Sequence, residues 1–252
     1  MFRILAAYSL LISAYGASIK DDFQLDGRIV GGHAITINQA PYQVGFQING
    51  AIVCGGSILS PTFVLTAAHC TEGHAVSAVS IRAGSSYRSR GGTVHAASQI
   101  INHASYTTRP LTNYDIALVK VAKPFAYGAT VRPVALATAV PAAGSAVVAA
   151  GWGQTSEGGA TSEQLQQVQT SIVAQASCNE AYFNELQASM LCAGDAGGGK
   201  DTCSQDSGGP LVHSGQQVGV VSFGMGCGRK GYPGVYASVP YFRAWIKQHA
   251  GV

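Results

Sequence analysis

At 252 residues, with 47% hydrophobic side chains, only 11% charged ones and glycine at 32 positions, the chain can bury a sizeable core and is not a disordered or coiled-coil protein. A formal net charge of +3 without a dense basic cluster excludes nucleic acid as a partner. The length fits one large all-β unit or two small fused barrels.

The N-terminus reads as an export signal over residues 1–18. Arg3 precedes an apolar run from Ile4 to Tyr15, followed by the small residues Gly16, Ala17 and Ser18. That run is too short for a permanent membrane span. No later segment is apolar enough for an anchor, so the expectation is a secreted, extracellular protein without a membrane partner. Residues 19–28 carry Asp21, Asp22 and Asp26 and have no helix or strand periodicity, which marks an exposed, cleavable propeptide. Arg28, directly before Ile29-Val30-Gly31-Gly32, is a processing point or an ordinary surface cation. The six cysteines are an even set on an oxidising route, so three disulfides are expected, with the pairing left open by spacing.

From Tyr42 onward short apolar runs alternate with turns. Strands are expected at 43–48, 52–54, 63–66, 79–83, 93–101, 116–121, 146–150, 168–173, 210–212, 218–223 and 234–238. Asn49-Gly50 between the first two is a hairpin signal. This rhythm predicts an all-β barrel or sandwich. Phe242, Trp245, Ile246 and His249 fall at helical spacing after Pro240, predicting a terminal amphipathic helix, and a shorter helix is expected at 177–183.

Chemistry concentrates in Asp201-Thr202-Cys203-Ser204-Gln205-Asp206-Ser207-Gly208-Gly209-Pro210. Glycines after a serine let the backbone approach a substrate closely, which makes Ser207 a candidate nucleophile rather than a turn residue. Such a hydroxyl needs a base, and the base needs an orienting group. Most of the seven histidines have packing or surface explanations, but His69 ends a strand candidate beside Cys70, where a disulfide would fix its backbone. Asp115 heads an apolar strand, and a carboxylate buried there requires a partner such as an imidazole. The pair His69 and His74 lacks the HExxH arrangement and no CxxC occurs, so no metal is expected.

Taken together, Ile29-Val30-Gly31-Gly32, Cys54-Gly55-Gly56-Ser57, residues 66–70, Asp115-Ile116-Ala117-Leu118, Gly151-Trp152-Gly153, residues 206–210 and Pro233-Gly234-Val235-Tyr236 resemble the trypsins of the chymotrypsin-fold serine proteases, in the family's order. The resemblance implies two six-stranded antiparallel β-barrels with the active site between them, a C-terminal helix and a protease domain at 29–252. It also implies Ser207 as nucleophile, His69 as base, Asp115 as its orienter, and the N–H groups of Gln205 and Ser207 as oxyanion hole. Asp201 would lie at the base of a pocket walled by Ser222, Gly224 and Gly234, selecting Arg or Lys before the cut bond. Cleavage after Arg28 would free Ile29 to pair with Asp206. The implied disulfides are Cys54 with Cys70, Cys178 with Cys192, and Cys203 with Cys227, a three-bridge set that resembles invertebrate or microbial trypsins.

By the same resemblance the protein is a digestive zymogen and a monomer without a cofactor, whose partners are protein and peptide substrates and protein protease inhibitors. Three positions depart from the family pattern. Gln205 replaces a glycine, keeping the N–H but crowding the leaving-group side. Phe223 replaces a tryptophan. Residues 84–90 contain two arginines and no carboxylate, so the calcium site of vertebrate trypsins is not expected. The alternative reading is a catalytically inactive homologue that acts as a binding protein.

Overall fold

The structure is a computed structural model describing residues 29–252; the expected signal at 1–18 and the expected propeptide at 19–28, with Arg28, lie outside the described residues. A two-residue strand, β1 (His33–Ala34), is followed by β2 (Gln43–Ile48), β3 (Ala51–Ile58), β4 (Phe63–Thr66), β5 (Val79–Ala83), β6 (Thr93–Asn102) and β7 (Ala117–Val121). Strands β2 to β7 close into an antiparallel barrel in the order β2-β3-β4-β7-β6-β5. The β2–β3 hairpin turns at Asn49 (φ 50°) and Gly50 (φ 84°), positive angles that this dipeptide tolerates and a tight hairpin needs. Alternate burial along β5 places Val79, Ile81 and Ala83 inside, against Phe46, Ile58, Leu65 and Leu118.

The second half holds β8 (Ala135–Leu136), β9 (Ala146–Gly151), β10 (Gln166–Val173), β11 (Met190–Gly194), β12 (Pro210–His213), β13 (Gln216–Phe223) and β14 (Gly234–Ser238). Six of these form the ring β10-β11-β14-β13-β12-β9, closed where β9 pairs with β10. Strand β8 adds to β13 in parallel, and β1 crosses over to pair His33 and Ala34 with Gln167 and Gln166. The architecture is thus two six-stranded antiparallel barrels. Among the described residues three α-helices complete it, besides two single 3-10 turns: α1 (Ala68–Thr71), α2 (Gln175–Ala181) and the terminal α3 (Val239–Ala250). Helix α3 starts with Pro240 in its first turn and stops at Gly251 (φ 75°), whose N–H donates to Lys247 O. Its buried residues Val239, Phe242 and Ile246 join the core of the first barrel. No described helix is long and apolar enough to cross a membrane.

Several expected boundaries move. Strand β3 runs on through Gly55 and Gly56 to Ile58, because these glycines mark close approach and not a turn. A Cβ on Gly55 would come within 3.0 Å of the Gly209 backbone, and one on Gly56 within 2.9 Å of Val64. Strand β11, Met190–Gly194, has none of the β-branched or aromatic residues that mark a strand locally, and it forms by pairing with β10 and β14. Helix α2 starts two residues before the expected 177 and ends at Ala181 rather than 183. His69 sits on the single turn α1, not on the strand before it.

Candidate active site

The loop around Ser207 is fastened to both barrels. Ser207 O accepts from Gly55 N of β3 at 2.8 Å, and Gly208 N donates to Val221 O of β13 at 2.8 Å. Gly208 has φ 79°, and a Cβ there would meet Gly55 O at 2.7 Å, so no other residue fits that turn. His69 and Asp115 arrive from the first barrel. His69 N donates to Asp115 Oδ1 at 2.9 Å, and the imidazole Nδ1 lies 2.7 Å from Asp115 Oδ2. Asp115 is 2% exposed, and its Oδ2 accepts a further hydrogen bond from Ser222 Oγ at 2.5 Å. Three donors therefore hold this carboxylate in one orientation. The hydroxyl of Ser222 was not legible as one of them, since 107 residues separate the pair.

Among the described residues no hydrogen bond joins Ser207 Oγ to His69. The outer nitrogen Nε2 lies 3.7 Å from Cys70 Sγ, and base and nucleophile in ligand-free sites commonly stand further apart than in the reacting complex. Cys54, His69 and Cys70 cluster closely enough to suggest a metal. Both sulfurs are consumed in the Cys54–Cys70 disulfide, which removes their ligand capacity. The other bridges are Cys178–Cys192 and Cys203–Cys227.

Main-chain donors around Ser207 divide sharply. The N–H groups of Cys203, Asp206, Gly208 and Gly209 are all taken, whereas among the described residues those of Gln205, Ser207 and the exposed Ser204 have no acceptor. Gln154 N donates to Ser204 O at 2.8 Å. In a trans peptide the N–H points opposite to that carbonyl, so the Gln205 N–H faces away from Gln154. Gln205 adopts φ 72°, a left-handed angle costing a non-glycine residue about 1–2 kcal/mol. Its side chain turns aside to accept from Arg88 Nη2 at 2.8 Å.

Beside Ser207 lies a cavity of about 320 Å³ lined by Asp201, Ser222, Phe223, Gly224, Gly234 and the Cys203–Cys227 bridge, among others. Asp201 is 3% exposed; its Oδ2 accepts from Gly228 N at 3.0 Å, while Oδ1 is buried without a donor. Burial pushes its pKa up to about 6, against the pull of the Gly228 and Thr202 hydrogen bonds. A Cβ on Gly234 would sit 2.8 Å from Asp201 Oδ1, so bulk there would seal the pocket. Phe223 packs edge-on against Tyr182, keeping an apolar wall. At the mouth, Glu157 pairs with Arg229, Nε to Oε2 at 2.9 Å. A larger cavity of about 560 Å³, lined by Thr93, His95 and Lys123 among others, contains no serine, cysteine or carboxylate, so size does not identify the site.

Behind the pocket, Ile29 is fully buried with Ala137, Val147, Leu191 and Tyr236, and Val30 O accepts from Asp201 N at 3.1 Å. Asp206, 1% exposed, accepts from Gly153 N at 2.9 Å and Cys203 N at 3.1 Å. Any Cβ on Gly151 or Gly153 would collide with its carboxylate, which explains the glycines flanking Trp152. Burial pushes Asp206 up to about 7, with Asp201 adding to the rise.

Comparison with known proteins gives a consistent result. The trypsin family model matches residues 29–246. Trypsin alpha of Drosophila erecta is 41% identical over 252 residues, covering 98% of this chain and 97% of its own. Trypsin alpha-4 of Lucilia cuprina is 40% identical over 251 residues, covering 98% of this chain and 97% of its own. Among solved structures, neuropsin, described as a serine protease expressed in the limbic system of mouse brain, superposes with a TM-score of 0.80 at 32% identity. That match covers 87% of this chain and 98% of neuropsin.

Proposed function

The chain belongs to the trypsin family of serine endopeptidases, and from that premise we propose that it is a secreted digestive zymogen that cuts peptide bonds after Arg or Lys. The observation that carries this reading is Asp201, a buried carboxylate with one oxygen unpaired, lining a cavity next to Ser207. A substrate guanidinium or ammonium supplies the missing donors, and charge-assisted hydrogen bonds of this kind are the strong ones.

Catalysis follows from the neighbours of Ser207. With the acyl group in place, His69 Nε2 removes the Ser207 proton while the hydroxyl oxygen attacks the carbonyl carbon. Asp115 holds the proton on Nδ1, leaving Nε2 free to accept. The carbonyl oxygen, now an oxyanion, takes the two unpaired N–H groups of Gln205 and Ser207, donors that need no reorganisation as charge develops. His69 then protonates the leaving amine, and water repeats the sequence on the acyl-enzyme. Cleaving the bond between Arg28 and Ile29 and measuring hydrolysis of Arg, Lys, Phe and Ala esters tests the proposal. Arg and Lys esters are expected to be cut, and Phe and Ala esters far more slowly. Preference for Phe would overturn the role of Asp201, and silence on all four would favour the inactive homologue.

Activation rests on the segment behind the pocket. In the uncut chain Asp206 is buried among N–H groups, and its pKa rises from 3.8 to about 7. A raised carboxyl contributes stability that is fully present below the unfolded value and lost as pH rises through the folded one. The uncut chain is therefore expected to lose stability between about pH 4 and pH 7. Cleavage after Arg28 provides the Ile29 ammonium, which keeps Asp206 ionised and removes that loss. Urea midpoints across this range, for an Arg28→Gln chain and for the processed enzyme, both carrying Ser207→Ala to prevent self-digestion, measure the difference. Asp201 contributes equally to both, so parallel profiles would contradict the pairing of Ile29 with Asp206.

A further inference from the structure

Beside Gln205, outside the lining of the Asp201 cavity, lies a cation that the reaction described so far does not use. Arg88 lies in the loop between β5 and β6, and its main-chain N donates to Glu163 O at 2.7 Å, which fixes the segment. Its Nη2 donates both to Ile52 O at 2.6 Å and to Gln205 Oε1 at 2.8 Å. Nε is buried without an acceptor. Among the described residues nothing accepts from Nη1, which remains accessible to solvent, and Arg88 has no carboxylate partner, whereas Arg90 and Arg229 face Glu163 and Glu157. A guanidinium is always charged and offers its donors in a rigid fork. This one is half-buried, held by Gln205 and unneutralised.

Its position relative to Ser207 gives it a use. The Asp201 cavity takes the residue before the cut bond, and Gln205 is not part of its lining. Gln205, held by Arg88 and through it joined to Ile52 of β3, stands outside that lining and toward the first barrel. We propose that Arg88, positioned by Gln205, forms a subsite on the leaving-group side that favours substrates with a carboxylate side chain at the first or second residue after the cut bond. The inference rests on the proteolysis proposed above. A carboxylate reaching the free edge of the guanidinium gains a charge-assisted hydrogen bond, whereas a lysine there meets a like charge.

Peptides identical up to an Arg before the cut bond and carrying Asp, Ala or Lys at the next two positions, with cleavage at the bond after that Arg alone read by mass spectrometry, test the subsite in the processed enzyme. An Arg anilide with no residue after the bond is the control. The Asp peptides are expected to exceed the Ala peptides about tenfold in kcat/KM, with the Lys peptides below both. Arg88→Ala should bring the three within about twofold while anilide hydrolysis stays within about twofold of the parent. Arg88→Lys keeps the charge without the fork and should retain part of the preference. If the parent enzyme treats all three peptides alike, or Arg88→Ala keeps the preference, the subsite is refuted. Failure to cut the anilide would instead refute the proteolysis reading. The parent series and the lysine variant decide the matter even if the alanine variant does not fold.

Discussion

Replacing Asp115 by Asn is expected to lower kcat on an Arg ester about ten-thousandfold, a magnitude carried over from the serine-protease triad as a class. The local geometry gives the reason. Asp115 accepts from His69 N, from the imidazole and from Ser222 Oγ, so every hydrogen bond described for it needs an acceptor. Asparagine can keep one oxygen on His69 N but then presents an NH2 where Oδ2 stood. That NH2 faces Nδ1 as a donor, so the imidazole must move its proton to Nε2. The base is then protonated on the nitrogen that should receive the Ser207 proton. Ser222 can rotate its hydroxyl to accept, so the fold has no reason to fail. Turnover per folded molecule and binding of a small amidinium competitor are the measurements. The competitor should bind the variant within about threefold of the parent, because Asp201 is untouched. A fall in kcat smaller than about tenfold would mean that Asp115 does not set the tautomer.

How much of this site could be read from the chain depends on the range of the contact involved. The hairpin at Asn49-Gly50 is a local matter of backbone angle, and so is the glycine turn after Ser207. The residues 201–210 advertise their chemistry because two carboxylates, a cysteine and a serine fall together. The hydroxyl of Ser222 on Asp115 and the guanidinium of Arg88 on Gln205 join residues 107 and 117 positions apart, and no local pattern marks either partner. The unpaired N–H groups of Gln205 and Ser207 belong to the main chain, which every residue but proline carries, so only the folded hydrogen-bond pattern narrows the choice to them and the exposed Ser204. Gln205 illustrates both limits. Its identity was legible as a departure from the family pattern, but the contact that occupies its side chain was not.

The same buried carboxylate that identifies the pocket predicts the second large effect. Asp201→Asn is expected to lower kcat/KM for an Arg ester about a thousandfold, since leaving one partner of a buried charge pair uncompensated costs roughly 3–5 kcal/mol. Oδ2 already accepts from Gly228 N, and Oδ1 has no donor among the described residues, so the ionised form is poorly stabilised until a cation arrives. That is why burial lifts the group to about 6. The folded pKa is raised above the unfolded value of 3.8, so the contribution of Asp201 to stability is complete below about pH 4 and lost as pH rises through about 6. A bound guanidinium or amidinium reverses the sign, because it favours the carboxylate. Binding an amidinium competitor should then release one proton between about pH 4 and pH 6, with affinity rising about tenfold per pH unit and levelling off above. Calorimetry in buffers of different ionisation enthalpy reads that proton directly. In Asp201→Asn both the proton release and the pH dependence should vanish, and neutral esters should be hydrolysed within about threefold of the parent rate, since Ser207, His69 and Asp115 are unchanged. An amidinium that binds the asparagine variant as tightly as the parent at about pH 8 would remove Asp201 from substrate selection.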